Sequence, residues 1–167
     1  LVKPRGARYT RYDVVGWGRP LRVDAYAPDG RWYGDTPKIL LTLRGADAER
    51  VIPRVREAVA RYPYADMGSY VIWPGPNSNT FVATIARAAP ELAPALLPTA
   101  IGKDFAGWPF YAGSAPSGSG FQFSLRGLFG VAASGVDGLE LNILSLNFGL
   151  SPSGLKLPLV GRIGAPR

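Results

Sequence analysis

The stretch 70-YVIWPGPNSNTFVATIARAAPE-91 decides how this chain is read. Residues 70–73 look like the end of a strand. Pro74-Gly75-Pro76 breaks it, and the polar tetrad Asn77-Ser78-Asn79-Thr80 opens a helix. Phe81, Val82, Ile85 and Ala89 recur at helical spacing on one face, and Pro90 stops the run. A helix leaving such a turn aims its first amides at whatever the turn holds. They carry about half a positive charge and can stabilise a developing oxyanion or a nucleophile. Ser78 is therefore either a nucleophile or part of the cap. A single cap is worth about 1 kcal/mol and needs one side chain. Four cap-competent residues exceed that need, so some of them face a ligand or a neighbouring loop.

Working outward, the segments on the N-terminal side read as short strands. RYTRYDVVGWG (8–18) and LRVDAYA (21–27) are rich in β-branched and aromatic residues, separated by Gly18-Arg19-Pro20. Pro28-Asp29-Gly30 marks a turn. KILLTLRG (38–45) is apolar enough for a strand buried on both faces. ADAERVIPRVREAVARYP (46–63) is helical, with Val51, Ile52, Val55, Ala58, Val59 and Tyr62 at helical spacing and Asp47 as the expected N-cap. Pro53 either kinks this helix or opens its regular part. SYVIW (69–73) is a further short strand.

On the C-terminal side, residues 92–118 are loop-rich and residues 119–150 form a β-hairpin turning at Asp137-Gly138. The phase slip in GLELNILSLNFGL (138–150) predicts a β-bulge. Residues 151–167 read as a surface-hugging tail. The whole is one α+β domain: a β-rich part (1–45), two principal helices (46–91), then loop, hairpin and tail. The sheet is antiparallel or a partly closed barrel.

Composition narrows the chemistry. The 167 residues contain no cysteine and no histidine. Disulfides, zinc–thiolate clusters and a Ser-His-Asp triad are excluded for this chain, and no metal or cofactor is implied. The net charge of +7 comes mostly from scattered arginines, densest near the N-terminus (Lys3, Arg5, Arg8, Arg11, Arg19, Arg22, Arg31). It favours an anionic partner such as a lipid headgroup or a cell-wall polymer, or simply a solvated basic surface. No compact basic run or RNA-binding sheet motif is present, which argues against nucleic acid. No run of about 18 uncharged apolar residues exists to span a bilayer as a helix. The start at Leu1 inside an apolar piece reads as a processed or trimmed product.

Two resemblances follow from particular blocks. YTRYDVVGWG, PDGRWYGDTP, WPGPNSNTFVA, LPTAIGKDF, APSGSGFQFSLRGLFGV and LKLPLVGRIG, in this order, resemble the bacterial family catalogued as domain of unknown function 3750. That family brings relatives but no activity. The block Tyr70…Asn77-Ser78-Asn79-Thr80-Phe81 also resembles the Tyr…Asn-Cys-x-x-Phe block of circularly permuted papain-like (NlpC-type) domains. This resemblance implies a papain-like core and places Ser78 at the nucleophile position. Serine replaces the cysteine, and the histidine of that family is missing. Either the domain is inactive, or its histidine lies upstream of Leu1.

The candidate residues are then Ser78 as nucleophile and Lys103 as base, the latter needing burial to suppress its charge. Adjacent Asp104 offers mutual neutralisation instead. Asn77, Asn79, Thr80, Tyr70, Trp73 and Asp104 are candidate binding residues. Trp17, Trp32, Trp73 and Trp108 form either an aromatic cleft for sugar rings or core packing. Glu140 and Asn142 either line a site or form a plain exposed face. Asp13 and Asp24 are placed to pair with Arg11 and Arg22. Three functions remain open. The first is an inactive papain-like binding domain of the bacterial envelope or periplasm, taking a peptide, glycan or lipid. The second is a serine hydrolase or acyltransferase, and the third a structural subunit docking on a membrane or protein partner.

Overall fold

The computed structural model describes residues 1–164. Two helices and two antiparallel sheets make it α+β. The first sheet is a ribbon of β1 (Tyr12–Val14) and β2 (Leu21–Val23), paired Asp13 to Arg22. α1 (Gly45–Ala60) and α2 (Ser78–Ala88) follow, with a 3-10 turn over Pro90–Ala95. The second sheet is a seven-stranded meander: β3 (Tyr111–Gly113), β4 (Phe121–Leu125), β5 (Phe129–Ser134), β6 (Gly138–Ile143), β7 (Leu146–Ser151), β8 (Gly154–Leu157) and β9 (Gly161–Ile163). Strand order follows chain order and the two edges do not pair, so it is not a closed barrel.

The core lies between the two helices and the ribbon. Val51, Val55 and Val59 form the buried stripe of α1, and Phe81 and Ile85 that of α2. Tyr62 meets Phe81 edge to face at 5.0 Å. Each such side chain contributes about 1.5–3 kcal/mol by leaving water. Val82 is 44 % exposed and not part of this stripe. α1 runs unbroken through Pro53 and begins at Gly45, so Asp47 sits inside the first turn, where it pairs with Arg50 at 2.8 Å, instead of capping the helix.

Several expected elements differ. KILLTLRG forms no strand: Ile39 is 83 % exposed and Leu40 57 %. An apolar run specifies a buried strand only if neighbours offer it hydrogen bonds on both sides. None does here. SYVIW also lies outside both sheets, with Val71 N donating to Pro76 O at 2.8 Å. The layout expected of a papain-like core, in which a sheet strand feeds the helix carrying the nucleophile, is therefore not formed. α2 packs on α1 and touches β1.

The C-terminal half holds more strand than expected. Residues 119–150 make four strands, not one hairpin, and the tail supplies β8 and β9. The phase slip at Leu144-Ser145 is a tight turn, not a bulge. Both residues have positive φ (52° and 64°), as a two-residue hairpin of the I′ kind requires. Arg126 and Gly127 also have positive φ (55° and 71°), in the three-residue loop 126–128 that joins β4 to β5.

The meander is inverted. Registered rows run Phe121–Ala133–Leu139–Leu150–Leu155–Ile163 and Phe123–Val131–Leu141–Phe148 on one face. Rows Gln122–Ala132–Glu140–Gly149–Lys156 and Ser124–Gly130–Asn142–Asn147 lie on the other. The polar face is the buried one: Gln122, Ser124, Asn142, Asn147 and Lys156 are all 5 % exposed or less. The apolar face looks outward, with Leu139 63 % and Phe148 40 % exposed.

Candidate functional site

The tetrad that opens α2 divides its labour. Asn77 is the N-cap: its Oδ1 accepts from Asn79 N (2.9 Å) and Thr80 N (3.1 Å), while Thr80 Oγ1 accepts from Asn77 N (3.0 Å). This reciprocal capping box satisfies amides that would otherwise be orphaned. The surplus groups anchor loop 101–105. Asn77 Nδ2 and Asn79 Nδ2 donate to Ile101 O (3.2 and 2.8 Å), and Thr80 Oγ1 donates to Gly102 O (2.7 Å). Gly102, at φ 90°, permits this approach because a Cβ there would strike the Asn77 amide. Only Ser78 is left over. It is exposed, and its hydroxyl makes no hydrogen bond within the described chain.

Ser78 borders a groove of about 300 Å³ between β1 and the start of α2. Arg11, Asp13, Trp32 and Val82 form much of its wall. Arg11 Nε donates to both Asp13 oxygens (3.0 and 2.9 Å), and Arg11 Nη1 donates to Ala27 O at 2.7 Å. Asp24 does not join Arg22. Its Oδ1 accepts from Arg11 N at 2.7 Å, and Arg22 donates instead to Trp17 O at 2.9 Å. At the groove mouth Trp32 stacks on Trp17 with ring centres 5.8 Å apart, and Tyr26 meets Trp32 edge-on at 5.4 Å. The tryptophans are not core: Trp17, Trp32, Trp73 and Trp108 are between 37 % and 64 % exposed.

The remaining sequence candidates lie elsewhere. Tyr70 packs on the helical core and against Gly16. Trp73 donates its indole N–H to Leu144 O at 3.1 Å, beside the β6–β7 turn. Lys103 and Asp104 do not border the groove. They enter a buried charge cluster under the polar face of the meander. Lys103 Nζ donates to Asp104 Oδ1 (3.2 Å) and Glu140 Oε2 (2.9 Å). Lys156 Nζ donates to Glu140 Oε1 and to Asp137 O, and Asn147 Nδ2 donates to Glu140 Oε2 at 2.8 Å. Glu140 and Asn142 thus face inward and do not form an exposed surface.

Electrostatics in this cluster follow from its burial. Burial acts to lower the Lys103 pKa, but the Asp104 and Glu140 carboxylates outweigh it and raise it, so the ammonium persists. Burial raises Asp104 more than Lys103 lowers it, and one of its oxygens has no partner. Burial would likewise raise Glu140, but the two lysines overcome it and hold its pKa at about 2. A lysine kept charged cannot take a proton from a serine. Among groove residues, Asp13 is bound through both oxygens to Arg11. Among the described residues no group of three or more His, Cys, Asp or Glu is placed for a metal.

Residues 1–105 match the family described as "Protein of unknown function (DUF3750)". The chain belongs to this family. The DUF3750 match takes in the ribbon, both helices, the Ser78 groove and the loop that ends at Phe105. It stops before the meander, so of the six blocks in the sequence it contains the four from YTRYDVVGWG to LPTAIGKDF. No curated protein and no solved structure matches the chain.

Three groove residues escaped the sequence reading as a site: Arg11, Asp13 and Val82. Arg11 and Asp13 are hidden by their distance along the chain from Ser78, since only the packing of β1 on α2 unites them, whereas Val82, one turn on from Ser78 in α2, reads as part of the apolar stripe. Lys156 and Asn147 escaped for a similar reason. Aligning strands 138–143, 146–151 and 154–157 in hairpin register would have put them beside Glu140.

Proposed function

We propose that this DUF3750 chain is a non-catalytic binding domain of the bacterial envelope, taking a ligand that contains a saccharide ring into the Ser78 groove. The observation that carries it is the groove wall itself. An exposed, stacked Trp32 stands beside a charged Arg11–Asp13 pair and an unbonded Ser78 hydroxyl. A sugar presents apolar C–H faces to an aromatic ring and hydroxyls to fixed polar groups, and this wall offers both. The net charge of +7 supports an anionic cell-wall polymer.

Among the described residues no base stands beside Ser78 for hydrolysis. Ser78 has no proton acceptor among its groove neighbours other than an arginine-bound carboxylate. A serine without a base is a poor nucleophile near neutral pH. Titration of the tryptophan fluorescence with soluble peptidoglycan fragments tests the proposal. Saturable binding is expected, weakened about tenfold or more by Trp32→Ala, an effect of about 1.4 kcal/mol. Ser78→Ala should change it only a few-fold. Turnover of the fragments that disappears in Ser78→Ala, or labelling of Ser78 by a serine-reactive phosphonate, would replace this reading with the hydrolase.

A further inference from the structure

The apolar face of the meander carries no polar side chain at any paired position from Phe121 to Ile163. Phe121, Phe129, Leu139, Leu150, Leu155 and Ile163 are each between 43 % and 63 % exposed. Pairing of the opposite face with buried Lys103 fixes this orientation, because a sheet flip would set leucines against Lys103 and Asp104 and take Glu140 away from them. We propose that this face seats in the hydrocarbon of one leaflet of an anionic lipid bilayer, as a peripheral docking surface separate from the Ser78 groove.

Four observations select lipid over a protein partner. Protein interfaces are only about 56–65 % apolar and make about one hydrogen bond per 100–200 Å². A face of leucine, isoleucine, valine and phenylalanine offers no side chain for such bonds, whereas hydrocarbon asks for none. The alternation of apolar outside with polar inside matches lipid-facing sheets. One end of the sheet has an amphipathic rim. There Arg126 lies 3.8 Å over the Trp108 ring, Trp73 bonds to Leu144 O, and Trp108 and Phe110 are 64 % and 55 % exposed. Tryptophan and arginine at that level suit the headgroup zone. Finally, the net charge of +7 complements an anionic leaflet.

Strand length argues against spanning. β4 to β7 have five or six residues each, about 17–20 Å at about 3.3 Å per residue. Spanning strands need about 9–11 residues for a hydrocarbon core of about 30 Å. Strands this short do not cross the bilayer, so the face lies against one leaflet and its two unpaired edges stay in the headgroup zone. Among the described residues no helix is long and apolar enough to cross a membrane.

Flotation with vesicles of phosphatidylcholine and phosphatidylglycerol tests the assignment on the intact chain. The wild type is expected to float with the vesicles and to stay bound in high salt. Leu141→Glu and Leu150→Glu, placed on the open face, should each lower the bound fraction about tenfold or more while near-ultraviolet circular dichroism stays native. Trp32→Ala should float like the wild type, which separates this surface from the groove. Acyl chains brominated near the headgroup should quench the tryptophan emission. Wild type remaining in the aqueous fraction, binding that vanishes in high salt, or Leu141→Glu floating unchanged would each overturn the proposal. A concentration-dependent doubling of mass, abolished by Leu141→Glu without any flotation, would assign the face to a second copy of the chain.

Discussion

Asn77 and Ser78 are neighbours with different surroundings, and their substitutions should separate accordingly. The Asn77 side chain accepts two backbone N–H groups and donates to Ile72 O and Ile101 O. Asn77→Ala should cost about 2 kcal/mol or more in urea unfolding, because it removes the acceptor for two helix-start amides and the side-chain bonds to Ile72 O and Ile101 O. Ser78→Ala should stay within about 0.5 kcal/mol. Glu140 gives a pH signature. Its folded pKa of about 2 lies below the ordinary 4.5, so its contribution is present above the unfolded value. That contribution is lost as pH falls from about 4.5 toward 2. Asp104, raised by burial, has the opposite sign: its contribution is present below the unfolded value and is lost as pH rises from there through its raised folded value. Glu140→Gln should therefore flatten the acid limb of a stability–pH series. It should also cost about 3–5 kcal/mol at neutral pH by leaving two buried ammoniums short of a partner.

Among elements, α1 shows how periodicity and local chemistry divide. Its buried stripe of Val51, Val55 and Val59 follows from 3.6-residue spacing alone. Its start does not, since Arg44 occupies the N-cap without a side-chain bond. Pro53 lies inside the helix on its exposed side, where it removes one donor. Pro53→Ala should raise stability by about 1–3 kcal/mol, read from thermal or urea unfolding. The 38–45 segment teaches the reverse. Its apolar content reads as a buried strand, yet no partner strand reaches it. Ile39→Asn should accordingly change stability by less than about 0.5 kcal/mol. A loss of about 2 kcal/mol or more in the same unfolding assay would restore the buried strand.

Over the whole molecule, local patterns fixed the elements better than their placement. Helical spacing around Phe81 and Ile85, the polar tetrad at 77–80 and the alternation through 121–148 could all be read along the chain, because each depends on contacts a few residues apart. The Leu144-Ser145 turn could not, since two non-glycine residues at positive φ carry no strong turn signal and mimic a bulge. Strict alternation also says that a sheet has two unlike faces without saying which one is inside. Here loop 101–105, tied to α2 by Asn77, Asn79 and Thr80, brings Lys103 against Glu140 and makes the polar face interior. The Ser78 groove has the same kind of origin, because Arg11 and Asp13 meet it only when β1 packs on α2. The sequence by itself determined the α+β class, the absence of histidine and cysteine chemistry, and the capped helix start. Tertiary structure alone decided which member of the 77–80 tetrad faces solvent, where Lys103 keeps its proton and which sheet face looks outward. These are outcomes of long-range packing and burial, which residue order constrains but does not display.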